Sequence, residues 1–146
     1  MPALFSFTQV REDLAKHTAG LSHEQLWREI DRASIGFHLK HIAGSVDRLA
    51  TYLVGQQLSE QQLASMRSEN VADKGLNELL ARVDSSLRDA EEKLRAINPE
   101  TLYDARSVGR KSLPTTVLGL IVHLAEHTQR HLGQAITMCK IVRQSG

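Results

Sequence analysis

Apolar residues recur along this chain at alternating steps of three and four, and no stretch alternates convincingly between apolar and polar. That spacing marks helices with one buried face, whereas strict alternation would mark half-buried strands. Phe7, Val10 and Leu14 predict a first helix over residues 4–19, stopped at Gly20. Ile35, Leu39, Ile42, Val46, Leu49 and Leu53 form an unbroken seam for a second, over residues 34–54, which Gly55 ends. Ser59 and Gln62 resemble a capping box and predict a short extra helix. A third long helix, over residues 74–97, presents Leu76, Leu79 or Leu80, Val83, Leu87, Leu94 and Ile97, and Asn98-Pro99 terminates it. The segment TLYDARSVGRKSLP reads as a loop, with room for a small turn or extended piece between Arg106 and Lys111. The last helix starts at Thr115, or at Ser112 with Pro114 in its first turn, and runs to about residue 142. Its stripe is Val117, Leu120, Ile121, Leu124, Leu132, Ala135, Met138, Cys139 and Val142. The expected fold is all-α: a four-helix bundle with a short extra helix between the second and third long helices, in a single domain over residues 1–146.

Composition narrows the classes of function. A chain of 146 residues, 41% apolar and 24% charged, can bury a substantial core as one soluble domain. No apolar run approaches the roughly 18 residues a membrane span needs, and the N-terminus does not read as a signal peptide. A net charge of +1 with both signs interleaved leaves no electrostatic footprint for nucleic acid. One cysteine, Cys139, excludes an internal disulfide and fits a reducing cytoplasm. It lies on the apolar stripe, which predicts a buried packing residue. Seven histidines are the compositional oddity.

Five of them fall in two short stretches: His38 and His41 in FHLKHIAG, and His123, His127 and His131 in HLAEHTQRH. Residues four apart share a helix face, so two imidazoles at that spacing can grip one ion. A helix turns about 100° per residue, which places His131 within the last helix's stripe, His127 at its border and His123 toward solvent. Two histidines inside a core stripe each need a polar partner and repel each other when charged, and one metal ion satisfies both. On the second helix the same test favours His38, about 60° from the stripe centre, over His41 at about 120°. Taken singly, each of these histidines is also consistent with an ordinary packed or hydrogen-bonded residue. The zinc-protease motif is absent, because Leu124 and Thr128, not glutamates, follow His123 and His127.

Gln134, three residues after His131, could steady a ligand or a bound water, or be a plain surface residue. Arg48, two turns beyond His41, could bind a carboxylate or pair across helices. Glu126 and Arg130 have the spacing of a surface ion pair, and Arg106, Arg110 and Lys111 form a small basic cluster of the kind usually solvated. No spacing ties the acids Asp47 and Glu69 to the histidines.

The stretches SIGFHLKHIAGSVDRL and LPTTVLGLIVHLAEHTQRHLGQAI resemble the DinB-like superfamily of metal-binding four-helix bundles, and the resemblance covers essentially the whole chain. It implies a divalent ion, nickel or zinc, held by His41, followed by its hydrophobic-alanine pair, together with His127 and His131. Here it departs from the facing argument, which prefers His38; the family pattern selects His41 and leaves His38 as the substitute. It further implies a homodimer acting on a small-molecule substrate. Activities in such a family include thiol-dependent transferases using a low-molecular-weight thiol such as bacillithiol or mycothiol, maleylpyruvate isomerases and small amidohydrolases. The expected function is therefore a metal-dependent thiol transferase or hydrolase, with a non-catalytic metal-binding, stress-associated bundle as the rival.

Overall fold

The computed structural model describes residues 1–144, and its helices follow the apolar seams. α1 (Pro2–Thr18) begins with a proline in its first turn, where the missing N–H costs nothing. α3 (Ile35–Leu53) is capped by Ser34, whose hydroxyl accepts from the Phe37 amide. It closes at Gly55, where a φ of +81° lets the Gly55 and Gln56 amides reach back to the Tyr52 and Thr51 carbonyls. α5 (Leu76–Arg95) and α6 (Val117–Gln144) complete the four long helices.

α3 packs against α5 and α6, and α1 packs against the same two, which closes a four-membered ring. Its interior is one continuous cluster that includes Phe7, Leu39, Ile42, Leu87, Leu94, Leu120 and Leu124. Each such side chain stabilises the fold by about 1.5–3 kcal/mol. The α3–α6 seam therefore holds without help from its histidines. The sequence-predicted all-α bundle is the observed one.

Three local features depart from expectation. The connection around Trp27 contains a short helix, α2 (His23–Trp27), held by a capping box between Ser22 and Gln25. The segment read as a loop forms a hairpin, in which β1 (Ala105–Val108) pairs antiparallel with β2 (Leu113–Thr116). The last helix consequently starts at Val117 and not at Thr115 or Ser112, because Pro114 to Thr116 are committed to the hairpin. The Thr116 hydroxyl then accepts from the Gly119 amide and opens α6. The extra helix expected after Ser59 is present as α4 (Glu60–Arg67), with its capping box. Among the described residues, no helix is long and apolar enough to cross a membrane.

Candidate metal centre

His41 on α3 and His127 and His131 on α6 meet at the edge of the seam, each half-buried. One ligating atom from each lies within 4.8 Å of the other two. The Nε2 atoms of His41 and His127 approach to 2.9 Å, and the His41 and His131 rings are 4.3 Å apart, centre to centre. Three imidazoles with ring nitrogens this close together are a donor set for a borderline-soft divalent ion. These three residues could hold a metal ion.

Their protonation state suits that. Burial pushes the His127 and His131 imidazoles down, and the neighbouring His41 adds to the effect; His131 falls from 6.5 to about 3. At neutral pH both rings are therefore uncharged, as metal ligation requires.

Each side of the cluster has a backing group. The Nδ1–H of His41 donates to Glu69 Oε2 at 2.8 Å, which leaves its Nε2 lone pair facing His127. Burial alone would raise the Glu69 carboxyl. The hydrogen bond from His41 and the charge of Arg48 outweigh it and hold the group below the ordinary glutamate value. Arg48 Nη1 donates to Glu69 Oε1 at 3.0 Å. Gly44 makes room for this pair, because a Cβ there would stand 2.7 Å from Arg48 Nη1 and 3.0 Å from Glu69 Oε1. His38 backs the other side: its Nδ1 is 3.0 Å from Nδ1 of His131.

Glu69 lies in the connection between α4 and α5, and its position comes from Lys40. Lys40 Nζ donates to the carbonyls of Ser68 (3.2 Å) and Val71 (2.7 Å), which bracket Glu69, and to Asp73 Oδ1 at 2.6 Å. Gln62 fastens α4 to α3 through Asp47 and Thr51. Nothing in the periodicity marks Lys40, Gly44 or Glu69. The one available signal was a lysine on an otherwise apolar helix face, directly before His41.

The remaining candidates separate clearly. His38 is only 5% exposed, deeper than the three clustered histidines, so periodicity ranked burial rightly. It is nevertheless His41, nearer the edge of the stripe, that closes the three-nitrogen group. His123 is exposed, its ring 5.7 Å from that of His127. Gln134 is also exposed and lines a shallow groove beside His38 and Arg130. Arg48 takes the interhelical pairing role with Glu69 and also lines the cavity beside the histidines. Glu126 and Arg130 form the anticipated surface pair. Cys139 is fully buried, and burial pushes its thiol up, away from nucleophilic use. Arg106 leaves the solvated cluster: its Nε donates to the Leu53 carbonyl at 2.8 Å and ties the hairpin to the end of α3.

That tie makes the hairpin one wall of a cavity of about 740 Å³, bounded also by α3, α4 and α6, into which His41, His123 and His127 face. The volume is ordinary for a small-molecule site. No curated protein matches the chain. The family description of the DinB superfamily does match, over residues 6–135, and the chain belongs to that superfamily.

Proposed function

We propose that His41, His127 and His131 bind one divalent ion, nickel or zinc, and that the protein is a metal-dependent transferase or hydrolase acting on a small molecule in the adjoining cavity. The observation that carries this reading is the convergence of three imidazoles, with Glu69 behind one of them, two of which, His41 and His127, also line the adjoining cavity. When bound, such an ion lowers the pKa of a coordinated water or low-molecular-weight thiol toward neutrality. Glu69, accepting from the His41 Nδ1–H, would orient that ring with its Nε2 free for an ion, and His38 would steady the His131 ring through its Nδ1. A purely structural ion is the weaker reading, since the apolar side chains of α3 and α6 already hold the two helices together. A homodimer in the cytoplasm belongs to the same proposal, on the strength of the family likeness and the unpaired, buried Cys139.

Elemental analysis of untagged protein tests the metal, with one nickel or zinc per chain expected. A metal-free preparation that cannot be reconstituted would remove the proposal. His127→Ala distinguishes the two roles. If the ion serves chemistry, the variant loses metal with little change in melting temperature, whereas a structural ion predicts a marked fall.

A further inference from the structure

The charges around the cavity are one-sided. Among the described residues, three arginines line it, Arg48, Arg67 and Arg110, and no aspartate or glutamate does. Arg48 is answered from behind by Glu69. Arg67, at the end of α4, and Arg110, on the hairpin turn, have no ion-pair partner among the described residues. The turn is a defined one, with Gly109 at φ +80°, Ser112 at +49° and the Ser112 amide donating to the Gly109 carbonyl. Two arginines from separate elements thus line one cavity. The rest of the wall is largely apolar, with Leu49, Leu58, Leu63, Met66 and Val108. The bias is local: the groove between α1 and α6, of about 560 Å³, is almost wholly apolar and has Glu126 as its one ionisable side chain.

We propose that this cavity takes a small organic carboxylate with an apolar body, the carboxylate held by Arg67 and Arg110 and the body lying against the leucines and Met66. Guanidinium is the side chain best shaped for a carboxylate, through two parallel N–H···O bonds. Neither arginine has an ion-pair partner among the described residues, so a carboxylate adds charge-assisted bonds without displacing an existing one. The same cavity exposes His41 and His127, so a molecule anchored by its carboxylate offers its remaining groups to the proposed metal centre. The assignment rests on reading this cavity as the substrate site and names the class of substrate it selects.

Calorimetric titration of hexanoate and hexanamide into metal-free and zinc-loaded protein tests it. Hexanoate should bind at least about tenfold more tightly than hexanamide in both forms, because charge-assisted bonds outlast neutral ones. It should also bind more tightly than acetate or inorganic phosphate, which lack the apolar body. In Arg67→Gln/Arg110→Gln the preference for hexanoate over hexanamide should shrink to about twofold or less. Both arginines are exposed and unpaired, so melting temperature and zinc content should not change. Absence of hexanoate binding, equal binding of the amide, or a preference that survives the double substitution overturns the proposal. So does acetate or phosphate binding as tightly as hexanoate. A protein that never binds zinc but keeps the arginine-dependent preference would sink the metal centre and leave the carboxylate site standing, which keeps the two failures apart.

Discussion

Two polar clusters interrupt the helix interfaces of this bundle, and they are built on opposite principles. Between α1 and α5, Arg11 bridges Asp84 at 2.8 Å and Glu91 at 2.6 Å. The hydrogen bond to Glu91 outweighs partial burial, so the guanidinium is held more firmly charged than usual. Every charge there has its opposite within reach, and nothing further is called for. Between α3 and α6, His38, His41, His127 and His131 stand with ring centres 4.3 to 5.2 Å apart. Among the described residues no acid bonds His127 or His131 from across the seam, and protonating one ring disfavours protonating the next. The first cluster is closed to ligands by its own complementarity. The second gathers imidazoles instead of opposite charges, and three of them could hold a metal ion.

Removing single members should expose this difference most sharply. His41→Ala is expected to reduce metal affinity by on the order of a thousandfold, since one imidazole of three is lost. His38→Ala should leave metal stoichiometry near that of the unaltered protein, and so should Arg11→Met. Arg11→Met should instead cost roughly 1–2 kcal/mol in denaturant unfolding, between the values for surface and buried pairs. Metal retained by His41→Ala and lost by His38→Ala would reverse the assignment.

A smaller effect is expected one layer out. Glu69→Gln keeps an acceptor for the His41 N–H but removes the charge, and should weaken metal affinity by about 10- to 100-fold. Competition with a chromophoric chelator measures this, and an unchanged affinity would show that Glu69 serves Arg48 alone.

The mildest effect concerns pH in the metal-free protein. His38, His127 and His131 are all held below their ordinary value of 6.5, His131 to about 3. The unfolded chain therefore binds more protons than the folded one between those limits, so stability is full above about 6.5 and declines as pH falls toward 3. Melting curves at stepped pH should show the decline, and it should be shallower in His131→Ala. A melting temperature that climbs on acidification would contradict the depressed imidazoles.

Periodicity reads the angle of a residue about its helix axis, and that was enough for much of this molecule. The four seams, the stops at Gly20, Gly55 and Asn98-Pro99, the capping box at Ser59 and the shared face of His127 and His131 all follow from spacing and local chemistry. Spacing favours His38, whereas the three-histidine group takes His41. A core stripe points at the bundle axis, whereas the three-histidine group sits at the edge of the α3–α6 seam, with His41 less buried than His38. Only the family pattern favoured His41 at that stage.

What the tertiary structure alone decided has a common cause. Glu69 meets His41 across 28 positions of sequence, and it does so because Lys40 gathers the carbonyls on either side of it. Arg106 crosses 53 positions to dock a hairpin whose strands are too short to declare themselves by alternation. The turn of that hairpin then brings Arg110 to the same cavity as Arg67. Such contacts are made by long polar side chains reaching irregular backbone, and they have no period. The sequence by itself determined the helices and the histidine pair, because apolar burial repeats with the helix. The carboxylate behind His41 and the charged cavity were decided by how those helices and loops came together.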